Sequence, residues 1–203
     1  MTRENIVQPE FGGFPKMARL SREVLITEKI DGTNSQILIT EGGGFFTGSR
    51  NRWITPQDDN FGFSAWAYDN KEDLMKLGAG RHFGEWWGQG IQRKYGLSEQ
   101  RFSLFNVARW HLAGEEPQVI PSADPRIIKH TEELPKCCHL VPLLCRGVFS
   151  TGSADACLDE LKQFGSVAAP GFMKPEGLIL FHIAGNVGFK KTIIDDELPK
   201  GAK

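Results

Sequence analysis

The first side chain with clear chemical potential is a lysine between two predicted strands. Residues 23–27 and 35–40 are rich in apolar and β-branched types, which predicts strands, and residues 28–34 (EKIDGTN) predict a turn at a sheet edge. Gly32 suits a turn because glycine adopts positive φ without steric cost. Burial or neighbouring cations would favour the neutral amine of Lys29, which is a nucleophile. The same short pattern is also typical of a plain surface hairpin.

Similar candidates recur at later predicted strand ends. In chain order they are Arg50, Glu85, Phe105, Glu176 and Lys190. Basic side chains can offset the charge of a transferred phosphoryl group, carboxylates can bind a hard cation, and an aromatic ring can stack on a base. Structural alternatives exist, since Phe105 could belong to the core and Glu85 could cap a turn. Either Arg50 or Arg52 could be the basic residue of this predicted strand end, and the position of Arg50 directly after Ser49 favours Arg50.

The order of these residues resembles the motif order of the covalent nucleotidyltransferase superfamily, which comprises polynucleotide ligases and mRNA-capping enzymes. The resemblance is closest to ATP-dependent RNA ligases of the phage ligase-2 and RNA-editing ligase type. Residues 28–34, including Asn34, look like the first motif of that group, and the resemblance extends from about Phe14 to Thr192. It implies that the Lys29 amine attacks the α-phosphate of ATP, expels pyrophosphate and carries AMP as a phosphoramidate.

The resemblance also implies roles for the other candidates. Lys190 would contact the α-phosphate, and Glu176 would lie near the amine or serve as a ligand of a divalent cation, Mg²⁺ or Mn²⁺. The remaining contacts to ATP would come from Glu28 to the adenine amino group, Asn34 near the phosphates, Arg50 to sugar or phosphate, Glu85 to the ribose, Phe105 by stacking on adenine, and Lys191 as a further cation.

The last motif departs from the family pattern. The family usually has Lys-x-Lys, whereas this chain has Lys190-Lys191-Thr192. Alternate residues of a strand share a face, so Thr192 takes the place of the second lysine, and Lys191 points away unless a bulge turns it inward. How the second phosphate is held is therefore open.

The predicted elements indicate the α+β class, with antiparallel β-sheets and flanking helices. Strands outnumber helices and come in hairpins, with helices over residues 61–77 and 153–165. A single strand is predicted over 139–145, with Pro142 favouring an edge or a bulge. Residues 1–22 read as an irregular lead-in. We expect one nucleotidyltransferase domain over residues 1–203, without a separate C-terminal domain.

Composition limits the other function classes. The net charge is -1, so nucleic acid would have to bind a local basic patch, of which the loop at Arg93 and Lys94 is one candidate. No apolar run is long enough for a membrane span and no signal peptide is evident, which favours a cytoplasmic protein without a membrane partner. The four cysteines, at positions 137, 138, 145 and 157, match no common zinc-finger spacing and predict reduced thiols rather than a zinc site.

Together these features predict an ATP-dependent RNA ligase that joins a 5′-phosphate end to a 3′-hydroxyl end. The substrate would be RNA, with DNA as an alternative. A partner protein could supply the nucleic-acid-docking domain that the predicted single domain lacks. Two other functions stay open. One is a DNA ligase or a GTP-dependent capping enzyme, and the other is a non-catalytic module that binds nucleotides or nucleic-acid ends.

Overall fold

The computed structural model describes residues 10–121, 128–194 and 196. The part of the predicted lead-in that covers residues 1–9 lies outside this range. The strands are β1 (Glu23–Lys29), β2 (Thr33–Ile39), β3 (Phe45–Ser49), β4 (Trp53–Ile54), β5 (Gly80–Gly88), β6 (Gln100–Leu104), β7 (Trp110–His111), β8 (Val119–Pro121), β9 (Ile128–His130), β10 (Glu132–Glu133), β11 (Cys138–Leu140), β12 (Leu143–Val148), β13 (Gly177–His182) and β14 (Val187–Thr192). The helices are α1 (Phe63–Asp69), α2 (Lys71–Leu74) and α3 (Thr151–Phe164), with 3-10 turns at Met75–Leu77 and Ile183–Gly185.

One sheet has four antiparallel strands in the order β12-β1-β13-β14. One face of this sheet packs against α3, where Val24 and Ile26 form a buried cluster with Leu158 and Leu161. Successive side chains of a strand point to opposite faces, so Thr27 and Lys29 of β1 lie on the other face. That face borders the cavity described below.

A second sheet has six strands in the order β11-β6-β5-β2-β3-β4. Its neighbours are antiparallel except β11 and β6, which are parallel. Its inner face packs against α1 through a fully buried cluster that includes Ile37, Phe63, Trp86 and Phe102. The prediction of an α+β fold built on antiparallel sheets is confirmed.

The segment after Lys29 is not the tip of a hairpin. β1 belongs to the four-stranded sheet and β2 to the six-stranded sheet, so residues 30–32 carry the chain from one sheet to the other. Gly32 is needed for space rather than for positive φ, because a Cβ there would clash with the carbonyl oxygen of Trp86 and the Cβ of Trp87. This close approach places Lys29 at the junction of the two sheets.

A second crossing occurs where one strand was predicted over residues 139–145. β11 ends at Leu140 in the six-stranded sheet, and β12 begins at Leu143 in the four-stranded sheet. Pro142 lies between them, and its carbonyl oxygen accepts a hydrogen bond from the Glu28 backbone N–H at 2.9 Å. Proline cannot donate to a strand ladder, which fits its place at the crossing.

The helix predicted over residues 61–77 is divided into α1, α2 and a 3-10 turn. The carboxylate of Asp59 accepts from the backbone N–H groups of Ser64 and Ala65 at 2.8 and 2.9 Å, which caps the start of α1. The second predicted helix is present as α3, and Gly165 is its C-cap. None of the described helices is long and apolar enough to cross a membrane.

The four cysteines are free and lie in two places. Cys137 and Cys138 pack with the cluster under the six-stranded sheet, whereas Cys145 and Cys157 pack with the cluster between α3 and the four-stranded sheet. Among residues 10–121 and 128–194, no group of three or more potential ligand side chains could hold a metal ion by itself. Cys138 and Cys157 are buried, and Cys137 and Cys145 are partly buried.

Candidate nucleotide-binding site

A cavity of about 570 Å³ lies between the two sheets. Its lining includes most of the residues that the sequence singled out, namely Glu28, Lys29, Asn34, Arg50, Glu85, Phe105 and Lys190. Apolar side chains such as Leu25, Val141 and Ile179 form much of its wall. A mostly apolar cleft with a few convergent polar groups is the usual form of a small-molecule site.

Lys29 and Glu176 form an ion pair at one end of this cavity. Lys29 is the last residue of β1 and lies opposite Gly177, the first residue of β13, so Glu176 directly precedes the strand position facing Lys29. The Lys29 ammonium donates a hydrogen bond to Glu176 Oε2, and the two side chains are only 20% and 12% exposed. The pairing of β1 and β13 thus brings together two residues that are 147 positions apart.

Glu85 is a buried carboxylate on the opposite wall. It lies across from Asn34 in the β2–β5 ladder, and Asn34 Nδ2 donates to Glu85 Oε2 at 3.0 Å. The Gly32 backbone N–H donates to Glu85 Oε1 at 3.1 Å. Glu85 therefore borders the cavity and also holds residues 30–32, which cross between the two sheets. Burial raises the pKa of Glu85 to about 7, and the positive charge of Lys29 opposes this shift.

Glu28 borders the cavity, but its carboxylate has other partners. It accepts from the Ser166 hydroxyl at 2.6 Å and from the backbone N–H groups of Val167 and Ala168 at 2.8 and 2.9 Å. Burial is the largest influence on the pKa of Glu28 and raises it. Three donors therefore hold this carboxylate at the wall of the cavity, and its predicted contact to the adenine amino group stays a prediction.

The structure separates Arg50 from Arg52 and gives Phe105 an exposed ring. Arg50 borders the cavity, whereas Arg52 forms an ion pair with Asp58. Phe105 directly follows β6, borders the cavity and is 42% exposed, so it does not belong to the core. An exposed ring on the wall of a cavity can pack against a planar ligand.

Lys190 and Lys191 lie on opposite faces of β14. Lys190 pairs across from Ile179 and borders the cavity. Lys191 pairs across from Leu178, on the face that packs against α3, and its ammonium forms an ion pair with Asp155 of that helix. No bulge interrupts the pairing of β13 and β14, so the predicted contribution of Lys191 to the nucleotide site is not supported by its position.

Arg93 and Tyr95 have a structural role that the sequence did not indicate. Arg93 Nε donates to Asp31 Oδ2 at 2.9 Å, and its Nη1 donates to the carbonyl oxygens of Lys174 and Pro175 at 2.9 and 3.3 Å. The hydroxyl of Tyr95 accepts from the Asp31 backbone N–H at 2.8 Å. Arg93 therefore ties the segment after Lys29 to the segment before Glu176, rather than only adding charge to a surface loop.

The loop that carries these contacts is strained. Gln92, Lys94 and Tyr95 all have positive φ, at 42°, 59° and 49°. Each such non-glycine residue costs of order 1–3 kcal/mol, and such strain often accumulates around functional sites. The partners of Arg93 are 62 and 81 residues away in the chain, so no local pattern indicated them.

The charged residues around Lys29 also suit a divalent cation. Asp31, Glu85 and Glu176 are close enough for the two other carboxylates to raise the pKa of Glu85. Mg²⁺ prefers oxygen ligands and usually keeps waters and substrate phosphates in its coordination sphere, so it does not need a cage made only of protein groups. The donor types near Lys29 fit such an ion, with Glu176 as the nearest carboxylate to the amine.

The fold is similar to that of Naegleria gruberi RNA ligase. An apo mutant of that ligase matches with a TM-score of 0.54 at 19% identity, over 85% of this chain and 50% of that chain. A mutant with AMP and Mn gives a TM-score of 0.54 at 19% identity, over 84% and 49% of the two chains. A mutant with ATP and Mn gives a TM-score of 0.54 at 19% identity, over 85% and 50%. This chain thus spans about half the length of the ligase chains that it matches.

No curated protein sequence matches this chain significantly. The family model described as RNA ligase, however, matches residues 22–190. This range contains every residue that we have placed around the cavity and ends at Lys190. The chain belongs to the RNA ligase family.

Proposed function

We propose that this protein is an ATP-dependent RNA ligase that carries AMP on Lys29, transfers it to an RNA 5′-phosphate and joins that end to a 3′-hydroxyl. The observation that carries the proposal is the position of Lys29. Its amine lies at one end of the 570 Å³ cavity and contacts Glu176, while Lys190 and Arg50 border the same space. Membership of the RNA ligase family and the fold shared with a ligase solved with ATP or AMP and Mn support this proposal.

In the first step, the Lys29 amine forms a bond to the α-phosphorus of ATP. The bond from that phosphorus to the bridging oxygen breaks, and pyrophosphate leaves with the electron pair. An ammonium ion cannot attack, so Lys29 must lose a proton, and Glu176 is positioned to receive it because it already accepts a hydrogen bond from Nζ. Lys190 and Arg50 offset the negative charge of the transferred group.

The walls of the cavity would hold the rest of the nucleotide. The exposed ring of Phe105 would stack on adenine, and Glu85 would accept a hydrogen bond from a ribose hydroxyl. A divalent cation held by Glu176 and the phosphates would supply further positive charge where negative charge gathers. In the later steps AMP passes to the 5′-phosphate, the 3′-hydroxyl attacks that phosphate, and AMP is released.

Incubation with labelled ATP or GTP and Mg²⁺, followed by denaturing electrophoresis, tests the first step. We expect a covalent label from ATP and much less from GTP, no label in Lys29→Arg, and normal labelling in Lys191→Ala, a lysine outside the cavity. Labelling of Lys29→Arg would contradict the assignment of the nucleophile. Stronger labelling from GTP would favour a capping-type enzyme instead.

A separate assay tests the joining step. A pre-adenylylated strand bypasses the attack by Lys29, so the chain is given a pre-adenylylated RNA or DNA strand and an acceptor with a 3′-hydroxyl. We expect joined product with RNA in both the parent and Lys29→Arg. Joining of DNA alone would indicate a DNA ligase, and adenylylation of Lys29 without any joining would limit the activity of this chain to nucleotidyl transfer.

A further inference from the structure

The face of the six-stranded sheet that points away from α1 carries a second group of aromatic side chains, which lie outside the nucleotide site. Phe46, Trp53 and Phe83, called here the aromatic face, are 49%, 50% and 51% exposed. The neighbouring positions Phe45 and His82 point to the other side of the sheet and are buried. Large rings that stand half exposed together on one surface are typical of a binding site rather than of a core.

The strand register makes the aromatic face continuous with the cavity. Asn34 of β2 lies opposite Glu85, and both border the cavity. Two positions further along β2, Gln36 lies opposite Phe83, and after two more, Leu38 lies opposite Phe46 and Arg81. Alternate residues share a face, so this surface extends about 13 Å from the cavity along β2.

Trp53 completes the face at the sheet edge. It lies opposite Gly48, which in turn lies opposite Gln36, so the three rings lie on one surface, on β5, β3 and β4, with β2 between β5 and β3. The rings of Phe46 and Trp53 are in contact, with centroids 6.0 Å apart. At the cavity end, the backbone N–H of Phe105 donates to the carbonyl oxygen of Phe83 at 3.0 Å, which places the two aromatic residues side by side.

Cationic groups are interleaved with these rings. The guanidinium of Arg81 lies 5.3 Å from the centroid of the Trp53 ring and donates to the side-chain oxygen of Gln36. Arg50, directly after β3, borders the cavity. Rings that can stack on bases, together with guanidinium groups that can reach phosphates, are the features that proteins use to bind single-stranded nucleic acid.

We propose that the aromatic face binds single-stranded RNA next to the end that reacts in the cavity, with bases stacked on Phe46, Trp53 and Phe83 and phosphates near Arg81. This inference rests on the proposed function, since the RNA end must lie near Lys29 for AMP to be transferred. Charge complementarity and continuity with the cavity favour RNA as the occupant. A second copy of this chain is the alternative, and it would bury the rings without a need for arginine.

Binding of RNA in the absence of ATP tests this inference separately from the proposed function. A fluorescent, 5′-phosphorylated single strand of about 12 nucleotides, within the usual site size for single-strand binders, is titrated with the full chain and followed by anisotropy at several salt concentrations. The variants are Phe83→Leu, Phe83→Trp, Trp53→Leu and Arg81→Gln. Phe164→Leu is the matched control, because Phe164 is 68% exposed at the end of α3 and borders neither the cavity nor this face.

Removal of one stacking ring should weaken RNA binding about fivefold to a hundredfold, as base stacking on an aromatic side chain does elsewhere. Phe83→Trp keeps a ring and should bind like the parent, whereas Phe83→Leu keeps apolar area but should bind weakly. Arg81→Gln should bind weakly and show a smaller salt dependence. Thermal unfolding checks each variant, and Trp53→Leu provides an independent variant if Phe83→Leu does not fold.

The inference is overturned if Phe83→Leu and Trp53→Leu fold and bind the RNA as tightly as the parent. It is also overturned if the parent forms a dimer that these variants abolish while RNA binding stays unchanged. If the parent binds RNA through this face but never labels Lys29 with AMP, only the proposed function fails.

Discussion

The two sheets around the cavity contribute different kinds of side chain. The four-stranded sheet brings the groups that would act on the phosphate, since Lys29 ends β1, Glu176 precedes β13 and Lys190 lies on β14. The six-stranded sheet brings Glu85 and, directly after β6, Phe105, which would hold the nucleoside, and Arg50 after β3 is its one contribution to the proposed charge around the phosphate. This division indicates that changes on the four-stranded side should reduce the rate of AMP transfer, whereas changes at Glu85 and Phe105 should reduce nucleotide affinity.

The largest effect is expected from two adjacent lysines on the four-stranded sheet. Lys190→Ala removes a cation that borders the cavity, so the rate of adenylylation at saturating ATP should fall about a hundredfold to a thousandfold. Lys191→Ala breaks only the exposed ion pair with Asp155 and should change the rate by less than about twofold. Single-turnover labelling of Lys29 measures both. An equal loss of rate in the two variants would contradict the claim that Lys190 acts in the cavity and Lys191 does not.

The buried carboxylate of the six-stranded sheet should reveal itself through the pH dependence of stability. The pKa of Glu85 is raised from 4.5 to about 7, so the folded protein holds the proton more tightly than the unfolded chain does. Stability should therefore decrease as the pH rises through this window. Relative to Glu85→Gln, the parent should lose up to about 3 kcal/mol of unfolding free energy between about pH 4 and pH 8.

Urea unfolding of the parent and of Glu85→Gln across this pH range measures the effect, and the difference between the two proteins isolates Glu85. A constant difference across the range would show that Glu85 has the same pKa in the folded and unfolded protein. That result would mean that Lys29 and the hydrogen bond from Gly32 fully offset the effect of burial.

Phe105 allows a test of affinity without charge. Phe105→Leu removes the exposed ring, and ATP binding should weaken about fivefold to a hundredfold, while the adenylylation rate at saturating ATP should change little. Phe164→Leu, a change of the same kind on α3, should leave both quantities unchanged. Titration calorimetry in a Lys29→Arg background measures affinity without turnover. A reduced rate with unchanged affinity would place Phe105 among the groups that act on the phosphate rather than among those that hold the nucleoside.

Arg93 links the two regions, and its removal should affect both in a smaller way. Arg93→Ala loses the contacts to Asp31, Lys174 and Pro175, so the rate of adenylylation should fall about tenfold, in keeping with hydrogen bonds of a charged, partly exposed group. Lys94→Ala is the matched control in the same loop and should behave like the parent. Adenylylation that is unchanged in Arg93→Ala would mean that the crossing segment holds its place without this tie.

The sequence predicted the parts of this molecule that depend on local pattern. Alternating apolar residues indicated most of the long strands, and Gly165 marked the end of α3. Strand alternation also indicated that Lys190 and Lys191 face opposite ways, which the β13–β14 pairing confirms. The order of motifs indicated the RNA ligase family, which the match over residues 22–190 confirms.

The parts that could not be predicted depend on contacts between distant segments. Neighbouring strands read as hairpins, yet β1 and β2 belong to different sheets, because a short link can cross between sheets as easily as it can fold back. Glu28 borders the cavity, but the sequence did not indicate the partners that hold it, which lie 138–140 residues away at Ser166, Val167 and Ala168. The extent of the single domain over residues 1–203 and a cytoplasmic location stay predictions.

The position of the AMP is the most direct test of the account. The parent chain is incubated with ATP and Mg²⁺, digested under conditions that preserve the phosphoramidate, and mapped by mass spectrometry. We predict one AMP on the peptide that contains Lys29, with fragment ions that place it on this residue, and no AMP on peptides that contain Lys190 or Lys191. An unmodified Lys29 with AMP on another residue would contradict the account, as would a chain that binds ATP but never forms the covalent bond.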